Sequence, residues 1–317
     1  MREFQLISKI RTWAKNDSRV LRGIGDDAAV LKFSKEKDLL FTTDMLVEGR
    51  HFRVGEATPP PDSRAKGASR RAAHSRRESG GGATAYEIGR KALAVNISDI
   101  AAMGGVPTHA VAAVGLPKVR TGVFAKELYR GMNALAKRFG VNLVGGDTNR
   151  SDRLVLSVAL LGEVEKGRAV LRSGARAGDA VFVTGALGGS YRSKKHLRFT
   201  PRLKEARWLV KNFKLHAMMD LSDGLASDLR RIAEESRVGF VINEEALPVS
   251  PHAKNVRTAL CEGEDFELLF TAATKDAKEI EKKFYRIGRV VPKKRGIVLL
   301  KKTGEKMPIK GGYDHFQ

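Results

Sequence analysis

Short apolar runs that end in a glycine turn or an aspartate recur through both halves of this chain, and segments of helical periodicity separate them. Apolar runs of this kind, bounded by turn residues, are typical of strands. In the first half, strands are predicted at 28–31, 39–44, 109–116, 141–144 and 154–164, and helices at 4–13, 86–103 and 124–139. Such mixing excludes a helical bundle or an all-β sandwich and indicates an α/β (α+β) fold.

The second half repeats this pattern after a turn-rich connection at 167–178. Strands are predicted at 180–184, 217–223, 238–243, 266–272, 287–291 and 296–301, and helices at 201–213, 224–237 and 275–284. With 317 residues the chain is long enough to bury two cores of ordinary size. We therefore expect an N-terminal domain at 1–165 and a C-terminal domain at 166–317.

Composition excludes several classes of protein. No apolar run reaches the roughly 18 to 20 residues that a bilayer span needs. Cys261 is the single cysteine, so neither an internal disulfide nor a cysteine zinc cluster can form. We therefore expect a cytoplasmic protein without a membrane partner, stabilised by packing alone.

The chain is strongly basic, with 58 Lys and Arg against 36 Asp and Glu and a formal net charge of +22. This charge attracts phosphates and other polyanions. It would also be expected if the proteins of the source organism are basic in general. The basic stretch at 58–83 has no periodicity and no large apolar residue, so it predicts a disordered surface insertion. It has no aromatic residue for base stacking, which argues against nucleic acid as its partner.

Carboxylates follow several of the predicted strands and glycine turns. Ligands of α/β sheets bind beyond the carboxyl ends of strands, where such side chains can converge on one site. Each acid alone could equally cap a turn or a helix. As a series in so basic a chain, they favour a common site. These acids are Asp26, Asp27, Asp44, Asp147, Asp220 and Asp223.

Carboxylates without cysteine ligands favour a hard cation such as Mg²⁺ over zinc or copper. Mg²⁺ held between carboxylates and phosphate oxygens is the general pattern of phosphoryl transfer. The sequence has no GxxxxGK[ST] loop, and no GxGxxG opens a helix after a strand. An ATP enzyme with this sequence would therefore be neither a P-loop nor a Rossmann protein.

Segments spread over nearly the whole chain resemble the thiamine-monophosphate kinase family and occur in that family's order. They lie at 23–30 (GIGDDAAV), 42–52 (TTDMLVEGRHF), 89–105, 145–148 (GGDT), 172–175 (RSGA), 220–225 (DLSDGL) and 263–268 (GEDFEL). Any one of them would be a weak signal. As an ordered series they are specific.

The resemblance implies a two-domain fold shared with aminoimidazole-ribonucleotide synthetase, in which the N-terminal domain forms the sheet of a homodimer. It implies Mg²⁺ and ATP as requirements and thiamine monophosphate as the substrate. The reaction would transfer the ATP γ-phosphoryl group to thiamine monophosphate, giving thiamine diphosphate and ADP. Because the acceptor is a phosphate monoester, already largely ionised at pH 7, no strong general base is needed.

The resemblance also implies roles for individual residues. Asp44, Asp147 and Asp223 would support the transfer step, and Asp26 would neighbour the metal shell. The implied metal shell is Asp27, Thr42, Thr43, Asp44, Asp99, Asp147, Asp220 and Asp223. ATP would contact Gly146, Asp147, Arg172 and Ser222, and the thiamine end would contact His51, Glu264 and Tyr313.

The chain departs from the family pattern at a few places. The 58–83 insertion interrupts a connection that is normally short, and the stretch at 185–201 is shorter than usual. Glu262 replaces a frequent glycine, and Phe266 replaces the usual tyrosine. Two other functions remain open, a related ATP-dependent enzyme similar to aminoimidazole-ribonucleotide synthetase and a basic RNA-binding protein. The second would leave the ordered acid series unexplained.

Overall fold

The structure is a computed structural model that describes residues 3–55 and 82–313, with side chains from residue 5. Nearly all of the predicted insertion at 58–83 lies outside the described residues. Its flanks are joined, because the amide of Gly55 donates to the carbonyl of Ala83 and that of Ala83 donates to the carbonyl of Arg53. Residues 53–55 and 82–83 are therefore neighbours.

The first half of the chain forms a six-stranded sheet in the order β1-β2-β3-β6-β4-β5. Neighbouring strands are antiparallel except β4 and β5, which are parallel. The strands are β1 Val20–Arg22, β2 Ala29–Lys32, β3 Lys37–Val47, β4 Val106–Leu116, β5 Asn142–Arg150 and β6 Val155–Glu165. The helices are α1 Glu3–Trp13, α2 Ala85–Ala102 and α3 Val123–Phe139.

Helix α2 covers the inner face of this sheet and is almost wholly buried. Thr84 caps its first turn with a reciprocal capping box to Glu87. Helix α3 crosses α2 closely at Gly89, which has no Cβ. A Cβ at this position would lie 1.8 Å from the carbonyl oxygen of Leu128. The inner sheet face and the two helices form the N-terminal core.

The outer face of the same sheet exposes large apolar side chains. Alternation along β3 and β4 points Leu40 and Ala110 into the core and their neighbours outward. The outward residues include Phe41, Met45, Val111 and, on β5, Val144. Contiguous apolar surface of this kind is typical of an interface.

The second half forms a seven-stranded sheet in the order β13-β12-β9-β11-β7-β10-β8. Only β9 and β12 pair in parallel among these described strands. The strands are β7 Ala180–Val183, β8 Leu215–Asp220, β9 Val238–Asn243, β10 Leu268–Ala272, β11 Tyr285–Pro292, β12 Ile297–Leu300 and β13 Lys306–Pro308. The helices are α4 Lys195–Arg198, α5 Leu203–Asn212, α6 Leu225–Ser236, α7 Val256–Cys261 and α8 Ala277–Glu281.

Most predicted elements coincide with observed ones, and the mixed α/β fold with two sheets is confirmed. The strand predicted at 217–223 ends at Asp220, so Asp223 lies in the turn before α6. The helix predicted at 275–284 is shorter, with a 3₁₀ turn before α8. None of the described helices combines the length and apolar character needed to cross a bilayer.

Candidate active site

A cavity of about 520 Å³ opens between the two sheets. Its walls come from β3 and α2 on one side and from the ends of β8, α7 and the C-terminal segment on the other. Acids supply much of its lining, namely Asp44, Asp99, Asp220, Asp223, Glu262 and Glu264. The cavity therefore lies where much of the acid series converges.

Three carboxylates from distant parts of the chain meet beside this cavity. Asp27 follows the glycine turn before β2, Asp99 lies in the last turn of α2, and Asp220 ends β8. One oxygen from each lies within 4.8 Å of the others. We call these three residues the carboxylate cluster.

Neighbouring hydroxyls hold two members of the cluster in place. The Thr42 hydroxyl lies 2.6 Å from Asp99 Oδ2, and the Ser98 hydroxyl donates to Asp220 Oδ2 at 2.6 Å. The backbone amide of Asp44 donates to Asn96 Oδ1 at 3.1 Å. Residues of α2 thus orient acids that come from both sheets.

Asp44, Asp99 and Asp220 have raised pKa values. Burial, followed by the charge of Asp27, raises the pKa of Asp220 to about 7. Burial and the charge of Asp223 raise the pKa of Asp44 to about 6. Burial also raises the pKa of Asp99 well above its ordinary value, with Asp44 as the next cause. This mutual repulsion is relieved when a cation binds between the acids.

The cluster is suited to a hard cation. Asp27 Oδ2 is buried and has no hydrogen-bond partner among the described residues, so it is free to act as a ligand. The other oxygen, Oδ1, accepts from the Arg172 guanidinium at 2.6 Å, which orients the carboxylate. A set of oxygen donors that includes an unpaired buried oxygen matches Mg²⁺ chemistry.

A pH-dependent stabilisation by Mg²⁺ follows from these pKa values. A raised carboxyl pKa means that the folded state binds the extra proton, so this contribution to stability falls as pH rises from 3.8 to about 7. Mg²⁺ bound at the cluster would compete with that proton, so the cation should raise Tm by about 5 °C at about pH 8 and by much less at about pH 5.5. Thermal scans of wild type and Asp220→Asn test this. An equal shift at both pH values, or in both proteins, would contradict it.

Asp223 forms a second acidic group at the cavity wall. Its carboxylate accepts from the Arg231 guanidinium, which also lies 3.7 Å from Asp228 Oδ1. The buried Asp228 accepts from the backbone amide of Asp223 at 3.2 Å. Ser222, one residue earlier, also lines the cavity. This turn is therefore held by charges within the C-terminal domain.

Two of the residues expected at the thiamine end, His51 and Glu264, lie at a buried ion pair with Lys91. Lys91 Nζ, inside α2, donates to Glu264 Oε2 at 2.6 Å and to the carbonyl of His51 at 2.9 Å. His51 Nδ1 accepts from the amide of Val47 at 3.0 Å. Burial lowers the pKa of Lys91 and raises that of Glu264. Glu264 and Phe266 both have left-handed backbone, with φ of 64° and 49°, so this segment is strained.

Three residues that the family resemblance assigns to the metal or to ATP do not join the carboxylate cluster of their own chain. They are Thr43, Gly146 and Asp147. The Thr43 side chain is exposed on the outer sheet face, with its hydroxyl 3.5 Å from that of Ser157. Asp147 is exposed on the edge strand β5, three strands from Asp44 and hence roughly 14 Å away. Gly146 beside it is required, because a Cβ there would lie 2.0 Å from the carbonyl oxygen of Ala112. The roles of all three stay predictions.

Arg172 and Tyr313 both contact segments that carry proposed site acids. The Arg172 guanidinium donates to Asp27, and its amide donates to Asp26 Oδ1 at 2.8 Å, so in this structure it orders the acidic turn. Its contact with ATP stays a prediction. Tyr313 lines the cavity, and its amide donates to the carbonyl of Asp223 at 3.0 Å.

Comparison with known proteins follows the same division of the chain. Residues 25–164 match the model for the AIR synthase related protein N-terminal domain, and residues 176–301 match that for the C-terminal domain. The thiamine-monophosphate kinase of Bacillus subtilis (strain 168) is 36% identical over 352 aligned positions, covering 100% of both chains. This chain belongs to the thiamine-monophosphate kinase family.

Solved structures agree with this membership. The structure of AaThiL complexed with AMPPCP and TMP matches with a TM-score of 0.80 and 30% identity, covering 99% of this chain and 97% of that one. The thiamine-monophosphate kinase from Stenotrophomonas maltophilia K279a matches with a TM-score of 0.70 and 31% identity, covering 96% and 98%. The expected two-domain fold shared with aminoimidazole-ribonucleotide synthetase is thereby confirmed.

The sequence did not indicate several residues that lie beside the acids of this cavity. Lys91 and Arg231 contact proposed site acids, and Tyr191 lines the same cavity as Glu264. Lys91 had a readable signal, since it is the lone lysine in the otherwise largely apolar run at 91–97. Tyr191 and Arg231 had none, because their partners are set only by tertiary packing.

Proposed function

We propose that this protein transfers the γ-phosphoryl group of ATP to thiamine monophosphate in a Mg²⁺-dependent reaction. The observation that carries the proposal is the carboxylate cluster at one cavity that also contains Asp44 and Asp223, two acids of the family pattern. The family relationship supports the choice of substrates. The cluster supports the metal requirement, because its buried Asp27 Oδ2 has no hydrogen-bond partner among the described residues and can serve as a cation ligand.

The residues of the cluster would hold the metal. Asp27, Asp99 and Asp220 would bind it directly, and Asp44 and Asp223 line the same cavity. Bound Mg²⁺ neutralises charge between the triphosphate and an anionic acceptor. Arg172 keeps Asp27 oriented, and Thr42 and Ser98 keep Asp99 and Asp220 oriented, so little reorganisation is needed.

The acceptor phosphate supplies the nucleophilic oxygen already ionised, so no residue has to act as a strong base. The chain's task is to bring two anions together in line and exclude water. His51, Glu264 and Tyr313 would hold the thiamine end of the acceptor at the same cavity. We propose direct transfer without a phosphorylated enzyme.

We also propose that the protein is a homodimer joined through the outer face of the N-terminal sheet. The exposed apolar side chains of β3, β4 and β5 on that face support it.

Val111→Glu, at a position 43% exposed on this face, should convert the dimer to a monomer in sedimentation experiments. Val119→Glu, at a position 89% exposed and off the sheet, is the matched control. A monomeric wild type, or a dimer unaffected by Val111→Glu, would contradict the proposal.

An acceptor panel tests the proposed activity. ADP release is measured with thiamine monophosphate, thiamine or aminoimidazole precursors as acceptor, each with and without Mg²⁺. Release only with thiamine monophosphate and Mg²⁺ is expected. Preference for an aminoimidazole precursor would indicate the related enzyme class instead. Absent turnover, together with nucleic-acid binding that weakens steeply with salt, would indicate an RNA-binding protein.

A further inference from the structure

We propose that Tyr191, positioned by Glu262, forms an aromatic wall that binds the cationic heteroaromatic ring system of the acceptor substrate. This rests on the proposed function and names a residue pair that selects the acceptor. Both residues line the same cavity as Glu264 and Tyr313. They belong to regions where the chain departs from its family's pattern, the short stretch at 185–201 and the glutamate at 262.

Tyr191 presents a large aromatic surface to the cavity. The residue as a whole is 46% exposed, although burial and the neighbouring Glu264 carboxylate raise the pKa of its hydroxyl. On one side the ring packs against His196, with centroids 4.6 Å apart. One flank of the ring is thus covered by His196, and the remaining exposed surface is available for a ligand.

Glu262 fixes the backbone from which Tyr191 projects. Its two carboxylate oxygens accept from the amides of Gly189 and Tyr191, at 3.1 and 3.2 Å. Glycine at position 262 could form neither bond. The neighbouring Ser190 hydroxyl donates to the carbonyl of Glu264 at 2.6 Å, so the short segment is tied to the strained 262–266 turn at several points. We regard Glu262 as a positioning residue.

The segment that carries Tyr191 is anchored beyond the cavity as well. Leu197 and Phe199 insert into the N-terminal core, and the Phe199 ring stacks on Phe266 with centroids 4.1 Å apart. Arg90 of α2 donates to the carbonyls of both residues. The shortened connection at 185–201 is therefore anchored to both domains. This anchoring can hold the Tyr191 ring in one place.

The chemistry of this wall fits a cationic aromatic ligand. A ring face attracts a cation through its quadrupole, and the attraction strengthens where water is excluded. The Glu264 carboxylate is already paired with Lys91, so it cannot by itself supply a full uncompensated charge for the ligand. The π-face of Tyr191 beside that paired acid adds an attraction that carries no net negative charge of its own.

Steady-state kinetics of Tyr191 variants tests the proposal. Tyr191→Ala should raise the KM for thiamine monophosphate by about 3- to 30-fold, with KM for ATP and kcat within about two-fold. Tyr191→Phe keeps the ring and should stay within about three-fold of wild type. Tyr285→Ala, at a 51% exposed tyrosine on β11 that does not line the cavity, is the matched control.

A binding measurement keeps the test independent of catalysis. Calorimetry with thiamine, which has the cationic ring system and no phosphate, should show weaker binding to Tyr191→Ala than to Tyr191→Phe. Equal affinities would overturn the proposal. Should Tyr191→Ala unfold, the comparison of wild type with Tyr191→Phe and Tyr191→Leu replaces it, and equal KM values for Leu and Phe would overturn the proposal as well.

Glu262 variants test the positioning role. Glu262→Ala should raise the same KM without lowering kcat, and Glu262→Gln, which keeps one acceptor oxygen, should restore most of the loss. An unchanged KM in Glu262→Ala would overturn this part. Failure of the proposed function can be told apart from failure of this inference alone. If the proposed function is wrong, wild type itself does not phosphorylate thiamine monophosphate, and the inference falls with it. Active wild type with unaffected Tyr191→Ala would overturn the inference alone.

Discussion

Asp44→Asn is expected to lower kcat by at least about two orders of magnitude, because it removes a carboxylate from a transition state that depends on charge neutralisation. Burial raises the pKa of Asp44, as do the charges of Asp223, Asp27 and Glu264, so a neutral amide of the same shape is tolerated and folding should survive. Asp152→Asn, at an exposed acid outside the cavity, is the matched control and should keep wild-type turnover.

Asp147→Asn is expected to have an effect of the same size, although Asp147 lies on the sheet edge away from the cluster of its own chain. Turnover is measured at saturating Mg²⁺, with circular dichroism to confirm folding. A variant that retains activity within a few-fold of wild type would show that the replaced residue has no role in the transfer step.

Lys91→Met is expected to lower the free energy of unfolding by about 3 to 5 kcal/mol, because it leaves the Glu264 carboxylate buried without its partner. Glu264→Gln should cost a similar amount by stranding the Lys91 ammonium, whose side chain is fully buried. The double variant should be more stable than either single variant, since no unpaired charge remains. Urea unfolding of all three variants measures this coupling.

The pair between Lys282 and Glu279 is the matched control. It has a similar separation of 2.7 Å, but its side chains are 66% and 62% exposed. Lys282→Met should therefore cost less than about 1 kcal/mol. If Lys91→Met costs no more than Lys282→Met, the buried pair does not stabilise the interface between the domains.

Much of the fold could be predicted from the sequence, because strand length and helical periodicity are local properties. The pattern places the strands at 106–116 and 155–165 and the helix at 85–102 within a few residues of their observed ends. It does not indicate the strands Val20–Arg22 and Lys306–Pro308, which have three residues each, too few for a period to be read.

The candidate site was only partly predictable. Asp27 and Asp220 stand beside a glycine turn and a strand end, a placement that in so basic a chain indicates a common site, and Asp99 follows from the family resemblance. The ion pair was not predictable, because Lys91 and Glu264 are 173 residues apart and meet only when the two sheets pack. Likewise, strand order and not sequence puts Asp147 at the far edge of its sheet.

Single-turnover product analysis tests the central claim most directly. Enzyme, ATP and Mg²⁺ are mixed with and without thiamine monophosphate, and all phosphorus-containing species, including protein, are quantified by ³¹P NMR and mass spectrometry. The account predicts equal amounts of ADP and thiamine diphosphate, formed only when thiamine monophosphate is present, and unmodified protein throughout. ADP formed without an acceptor, or phosphate attached to the protein, would contradict direct transfer at this site.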